Sequence, residues 1–133
     1  MDGTIRTANE NFLQTMGYRL DEIKGRHHGM FVDEACRNSP EYRDFWSRLN
    51  CGEYQAGEYK RIGKGGKEVW VQASYNPICN IYGKLFKVVE YASDVTTAVK
   101  ARHEMAGFLE QVKSSAETLG SSAEQLTTVS TQM

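Results

Sequence analysis

The sequence predicts an α+β fold, in which an antiparallel sheet carries short helices on one face and a long C-terminal helix follows. Hydrophobic residues alternate with period two in three segments that are separated by short turns, as in a strand meander. Several short helical patterns precede these segments. Composition then changes near residue 95, because both tryptophans, both prolines and every tyrosine lie upstream. We therefore expect a compact domain over residues 1–96 and a helix over residues 97–133.

The N-terminal residues predict a turn, a short strand and a capped helix. Asp2-Gly3 is a turn dipeptide, and the run from Thr4 to Thr7 that follows it has β-strand character. Asn9 is a suitable N-cap for a helix that ends at Gly17. The chain therefore predicts a strand before its first helix.

The next segment predicts mainly helical structure. Residues 20–25 favour a helical turn, and residues 26–38 a loop with a short helix. Ser39 followed by Pro40 is a typical helix start. The apolar residues at helical spacing after it are Tyr42, Phe45, Trp46 and Leu49. This helix is expected to bury an aromatic stripe.

Three strands are predicted at residues 56–62, 67–75 and 85–93. Glycine- and asparagine-containing turns join them at residues 63–66 and 80–83. Gaps this short favour an antiparallel meander. The residues that we expect to be mostly buried between the sheet and the helices are Phe12, Phe45, Trp46, Val71, Val88 and Ala92.

A heptad pattern runs through the C-terminal helix. Its apolar seam includes Met105, Leu109, Val112, Leu119 and Leu126. A single helix of about 57 Å is not stable alone in water. We therefore expect a homodimer in which this seam packs against its copy.

Charge and composition exclude several function classes. Lys and Arg number 16 against 17 Asp and Glu, a net charge of −1 that gives no general attraction to nucleic acid or an anionic membrane. No apolar run is long enough to span a bilayer, and the first residues lack a signal-peptide pattern. Cys36, Cys51 and Cys79 are too widely spaced for a zinc site, which favours a reducing cytoplasm. No catalytic pattern is present, so no enzyme is expected.

Several motifs in one order resemble a PAS sensory domain. They are Asp2-Gly3-Thr4-Ile5, Asn9-Glu10-Asn11-Phe12, Gly17-Tyr18, Glu22-Ile23-Lys24-Gly25 and the run from Gly63 to Trp70. The segments around His27-His28, Phe45-Trp46 and Tyr75-Asn76-Pro77-Ile78 look like the PAS domains of bacterial methyl-accepting chemotaxis proteins, including aerotaxis receptors. The heptads that follow are similar to the start of a chemoreceptor coiled coil.

This resemblance implies a five-stranded antiparallel sheet of order 2-1-5-4-3, with the first strand largely missing here because it would precede Asp2. The last strand of such domains ends in a motif that leads into the signalling helix, and Asp94-Val95-Thr96 is similar to it. The resemblance therefore places a signal junction at these three residues. It also implies contact with chemotaxis signalling proteins through an output domain that lies outside these residues.

The candidate pocket residues are His27, His28, Trp46, Trp70 and Asn76. The two histidines could ligate haem iron or bond a flavin, or one could pack or cap while the other is solvated. The two tryptophans could stack on a planar cofactor or belong to the core. Asn76 could contact a ligand or, being followed by Pro77, start a turn.

FAD is the first cofactor candidate and haem the second, and a domain without cofactor is the third possibility. Aerotaxis-receptor PAS domains carry Arg-His-Pro-Asp at the position of Phe31-Val32-Asp33-Glu34, so this chain lacks polar groups that the resemblance associates with flavin. No histidine occurs between Phe31 and Lys100, which leaves only His27 or His28 for haem. The function expected is a cytoplasmic sensory input module that detects a small ligand, redox state or oxygen. The alternative is a cofactor-free module for protein interaction and dimerisation.

Overall fold

A computed structural model describes the backbone of residues 1–132 and the side chains up to residue 121. The chain divides into two compact units, one from Met1 to Thr96 and one from Thr97 onward. The side chain of Leu126, which belongs to the predicted seam, lies outside the described residues. The described chain contains no helix that is both long and apolar enough to cross a membrane.

The sheet is an antiparallel meander, as predicted. Its strands are β1 (Gln55–Ile62), β2 (Glu68–Cys79) and β3 (Leu85–Asp94), in the order β1-β2-β3. β2 continues four residues beyond the predicted end, so Asn76 and Pro77 lie within the strand and do not begin a turn. The register shifts just beyond them, between Ile78 and Cys79, and proline is tolerated near such an irregularity.

Short helices occupy the positions that the capping residues indicate. They are α1 (Glu10–Met16), α2 (Leu20–Ile23), α3 (Glu34–Arg37) and α4 (Pro40–Asn50), with 3₁₀ turns at His28–Phe31 and Lys64–Gly66. The Asn9 side chain accepts from the Phe12 amide at 2.9 Å, and Gly17 ends α1 with a left-handed φ of 77°. The Ser39 hydroxyl accepts from the Tyr42 amide at 3.2 Å to start α4. The helix α5 (Thr96–Gln132) begins at the last residue of the first unit and continues through the second.

The predicted strand from Thr4 to Thr7 is wrong. Thr4 forms only an isolated antiparallel bridge with His27, although the Ile5 amide donates to the Arg26 carbonyl at 2.7 Å. The segment also contacts β3 through a side chain, because the Arg6 guanidinium donates to the Phe86 carbonyl at 3.0 Å. A strand needs consecutive backbone pairing, and this segment has too little of it, so the sheet of the described residues has three strands.

The core lies between the inner face of the sheet and the helices. Its buried members are Leu13, Met16, Ile23, Phe31, Leu49, Val69, Val71, Ala73 and Tyr75. Of the expected core residues Val71 is buried, while Phe12, Phe45, Trp46 and Val88 are half-buried against the cluster. The prediction for Ala92 is wrong. Ala92 pairs with Ala73 on the same face but is exposed, because α4 packs on β1 and β2 and leaves this end of β3 uncovered.

Candidate functional site

A half-open cavity of about 1690 Å³ lies in the first unit, between the segment of residues 1–9 and β3. Its inner wall consists mainly of aromatic and apolar side chains with a few polar groups. These residues are Phe12, Met16, His28, Phe31, Trp46, Val71, Tyr75, Val88 and Glu90. Such a mixture, largely apolar with a small number of placed polar groups, is typical of a small-molecule site.

His28 is the central polar group of this wall. Its Nδ1 lies 2.9 Å from the Tyr42 hydroxyl and its Nε2 lies 3.3 Å from the Tyr75 hydroxyl. Arg61 donates from Nη2 to the same Tyr75 oxygen at 2.9 Å. The 3₁₀ turn, α4, β1 and β2 each contribute one residue, so four elements meet at this network.

One arrangement of protons accounts for the hydrogen bonds among His28, Tyr42, Tyr75 and Arg61. If Nε2–H of His28 donates to Tyr75, then Nδ1 accepts from the Tyr42 hydroxyl. The Tyr75 oxygen then uses its two lone pairs for His28 and Arg61, and its own proton is free for Glu90. Burial raises the pKa of Tyr75 and the Glu90 carboxyl raises it further, as expected when the phenol faces an acceptor.

Burial controls the protonation states in this network. Burial lowers the pKa of His28 to about 3, with a further decrease from the charge of Arg61, so the ring is neutral at pH 7. Burial likewise raises the pKa of Tyr75 far above its usual range, so the phenol keeps its proton. Burial also raises the pKa of Glu90, opposed by the Tyr75 hydrogen bond and the Arg61 charge.

Aromatic rings surround the imidazole of His28. Ring centroids of Trp46 and Tyr75 lie 5.6 Å away in edge-to-face geometry, and Phe31 is at 5.9 Å. The Tyr42 ring is stacked on the imidazole at 6.2 Å. These contacts fix the ring, so His28 is held in one orientation at the cavity wall.

Two buried nitrogen atoms, Trp46 Nε1 and Arg61 Nε, have no hydrogen-bond partner. Burial raises the pKa of Tyr42 and the nearby Trp46 opposes this increase, but no hydrogen bond of normal geometry joins the two side chains. The Arg61 guanidinium lies 4.7 Å from the centroid of the Tyr59 ring, a cation–π contact that partly compensates its burial. The site therefore contains more donors than its own acceptors use.

The structure brings two of the five candidate pocket residues, His28 and Trp46, together at the cavity wall. His27 lies beside them but acts as a cap, since its Nδ1 accepts from the Gly29 amide at 2.8 Å. Its ring centroid is 6.0 Å from that of Trp46, and it does not line the cavity. The two adjacent histidines therefore have different environments.

Trp70 and Asn76 lie on the opposite face of the sheet. In β2 the buried residues Val71, Ala73 and Tyr75 point inward, and the alternating positions point outward. Trp70 Nε1 donates to Glu68 at 3.1 Å, and the Asn76 amide donates to the Val89 carbonyl at 3.2 Å. Neither residue lines the cavity.

The sequence reasoning missed Arg61 and Glu90. Each occupies an inward position of the period-two pattern, Arg61 in β1 and Glu90 between Val88 and Ala92 in β3. The sequence does contain a signal for these two residues, because each is charged at a position where the alternation predicts an apolar side chain. The strand register places Glu90 opposite Tyr75, whereas Arg61 pairs with Val69 and its long side chain reaches the Tyr75 hydroxyl.

The predicted junction forms a compact hydrogen-bonded turn at the end of β3. The Asp94 carboxylate accepts from the Thr96 amide at 2.9 Å and from the Thr96 hydroxyl at 2.5 Å. The Thr96 hydroxyl oxygen accepts from the Trp70 amide at 3.0 Å, and the Val95 amide donates to the Trp70 carbonyl at 2.8 Å. The hydrogen bonds to Thr96 lower the pKa of Asp94. The junction is therefore tied directly to the middle strand.

A profile of the PAS fold matches residues 5–92. This chain belongs to the PAS family. The biofilm dispersion protein BdlA of Pseudomonas aeruginosa is 46% identical over 114 residues, which are 86% of this chain and 27% of that protein. The aerotaxis receptor of Escherichia coli is 35% identical over 74 residues, 56% of this chain and 14% of the receptor. The predicted resemblance to the PAS domain of chemotaxis receptors is confirmed. The chain spans about a quarter or less of the length of these relatives.

Solved PAS and light-oxygen-voltage domains share this fold. An RNA-binding light-oxygen-voltage receptor superposes with a TM-score of 0.69 at 21% identity, covering 84% of this chain and 31% of that one. A light-oxygen-voltage domain studied with a flavin analogue gives 0.64 at 20% identity, covering 82% and 80%. A PAS domain from Colwellia psychrerythraea gives 0.63 at 19% identity, covering 73% and 81%. The α+β PAS architecture with a long C-terminal helix is thus confirmed.

Proposed function

We propose that residues 1–96 are the cytoplasmic sensory input module of a chemotaxis transducer, which binds a small ligand in the cavity. The observation that carries this proposal is the path from the cavity to the junction along a single strand. Glu90 in β3 lines the cavity, and four residues later the same strand ends at Asp94, whose carboxylate holds the first residue of α5. A ligand that displaces β3 therefore acts directly on the start of the helix.

A flavin is the cofactor that this site accommodates best. The aromatic wall formed by Phe12, Phe31, Trp46 and Tyr75 suits a planar ring system, and Trp46 Nε1 is an unpaired donor on this wall. Haem fits less well, because both nitrogens of His28 are occupied by Tyr42 and Tyr75. Iron ligation by His28 would break one of those bonds in the core. The relationship to an aerotaxis receptor supports a redox or oxygen stimulus.

Absorption spectroscopy tests the cofactor. We expect flavin bands in the purified protein, or after incubation with FAD followed by desalting. Val88→Trp places a large side chain in the cavity and is expected to abolish them, whereas Gln72→Trp places the same side chain on the outer face and is expected to leave them unchanged. A purely aromatic spectrum of the wild-type protein after reconstitution would reject flavin and favour the cofactor-free alternative.

Dimerisation through α5 is the second part of the proposal. Within the second unit, the described seam residues are at least 49% exposed: Met105 by 58%, Leu109 by 58%, Val112 by 49% and Leu119 by 70%. Heptad spacing favours burial of such a seam against a second copy in a parallel coiled coil. This exposure also supports the alternative function, a PAS module that serves only for interaction and dimerisation. Signalling proteins of the chemotaxis pathway would then contact an output domain beyond these residues.

A further inference from the structure

Glu90 is the feature of the cavity that the proposed function leaves unused. It lies directly opposite Tyr75 in the register of β2 and β3, on the inner face of the sheet. Its side chain is half-buried and lines the cavity. A carboxyl group at an inward strand position is costly unless it has a partner, and here the Tyr75 phenol and the more distant Arg61 charge act on it.

The charges around the cavity are unevenly placed. The other charged residues that line it are Asp2, Arg6, Lys87 and Asp94, and all four are exposed at its rim. Arg61 lies behind Tyr75 and does not line the cavity. His28 is held neutral among aromatic rings. Among the described residues, Glu90 is thus the acidic side chain that lines the inner part of the cavity, and burial raises the pKa of its carboxyl.

The neighbours of Glu90 define what such a ligand would look like. Phe12 and Trp46, which are half-buried, provide ring surfaces on the same cavity, and the almost fully buried rings of Phe31 and Tyr75 also line it. A carboxylate accepts hydrogen bonds and attracts positive charge, and aromatic faces attract cations as well as planar rings. A carboxylate on the ligand, by contrast, would approach Glu90 with like charge.

We propose that the cavity selects planar aromatic ligands that present a cationic or N–H-rich edge to Glu90, and that it discriminates against ligands with a carboxylate at that edge. This inference rests on the proposed function, since it names the ligand chemistry of the same site. Glu90 acts as the specificity-determining acceptor. The Tyr75 phenol and the rings around His28 hold the remainder of the wall in place.

Three probes of nearly equal shape test the inference: benzamidine, benzamide and benzoate. Binding of each to the wild-type chain is measured at neutral pH by protein-observed NMR titration, with perturbed resonances of cavity residues marking the site. We expect benzamidine to bind most tightly, benzamide more weakly and benzoate most weakly. Loss of a hydrogen bond to a charged group corresponds to about tenfold or more in affinity. Glu90→Gln is therefore expected to weaken benzamidine about tenfold and to change benzamide little.

Glu53→Gln is the matched control, because Glu53 is exposed before β1 and does not line the cavity. It is expected to leave all three affinities unchanged. The order of the three affinities for the wild-type chain tests the specificity proposal even if Glu90→Gln fails to fold. Benzoate binding in the cavity as tightly as benzamidine would overturn the specificity and leave the ligand-pocket proposal standing. If no probe perturbs cavity residues at several millimolar, the specificity proposal is rejected, and flavin absorption still decides the ligand-pocket proposal.

Discussion

The buried His28 predicts how the stability of the PAS unit depends on pH. His28 is 7% exposed, and burial lowers its pKa in the folded chain to about 3. In the unfolded chain the imidazole has an ordinary pKa of about 6.5. Below pH 6.5 the unfolded chain therefore binds a proton that the folded chain does not. The contribution of neutral His28 is complete above pH 6.5 and is lost as the pH falls towards 3.

The magnitude follows from the two pKa values. Each pH unit below the unfolded pKa costs up to about 1.4 kcal/mol. Between pH 7.5 and pH 5, His28 alone should lower the free energy of unfolding by about 2 kcal/mol. This is a substantial part of the stability of a small domain, about 5–15 kcal/mol. The carboxyl of Glu90 acts with the opposite sign, because its pKa is raised in the folded chain and its contribution decreases as the pH rises above its unfolded value.

A comparison of variants separates the two groups. Urea unfolding of the wild type and of His28→Gln, each at several pH values from 5 to 7.5, gives two stability curves. The glutamine has no charge to gain, so the difference between the curves isolates His28. We expect this difference to shift by about 2 kcal/mol over the range, to the disadvantage of the wild type at low pH. His103→Gln, at an exposed position of α5, should follow the wild-type curve.

Parallel curves for the wild type and His28→Gln would refute this reasoning. They would mean that the imidazole titrates in the folded chain as it does in water. The hydrogen-bonded network of Tyr42, His28 and Tyr75 would then be open to solvent, and the aromatic residues of the cavity wall would not bury His28. NMR titration of the imidazole gives the same answer independently, since the ring should remain neutral down to pH 5.

Three further predictions concern packing, assembly and output. Phe31→Ala should lower the free energy of unfolding in urea by about 3–5 kcal/mol, because Phe31 is 2% exposed. Trp46→Ala should lower it by less, because Trp46 is half-buried. Equal losses would contradict this difference in burial between the two side chains. Val112→Asp or Leu119→Asp should sediment as a monomer with the PAS unit still folded, and a dimer in both variants would exclude the seam as the contact. Asp94→Ala removes the acceptor for the Thr96 amide. We expect this variant to fold and dimerise normally but to abolish signalling in a full-length receptor. A normal response would contradict the role of Asp94 in the signal junction.

Local signals in the sequence determined the elements of this chain. The caps at Asn9 and Ser39 predicted two helix starts correctly, because the capping bonds join residues three apart. Period-two alternation located the three strands, and the heptad pattern located the long helix. Each of these features depends on neighbours a few residues away, so the sequence alone contains the information.

The N-terminal run shows the limit of such signals. Thr4 to Thr7 has the composition of a strand, yet it forms a single bridge with His27. Strand formation depends on a partner along the whole segment, and composition does not reveal whether that partner exists. The exposure of Ala92 has a similar origin, because its burial would depend on what covers β3.

The candidate site was predictable only in part. Of the candidate pocket residues, His28 and Trp46 lie at the cavity wall, whereas Trp70 and Asn76, which looked equally suitable, lie on the other face of the sheet. Sequence separation hides the rest of the network, since Tyr75 lies 47 residues from His28 and 14 from Arg61. The tertiary structure decided which side chains share the cavity, because strand register selects the face of every residue and burial then sets the protonation of each group.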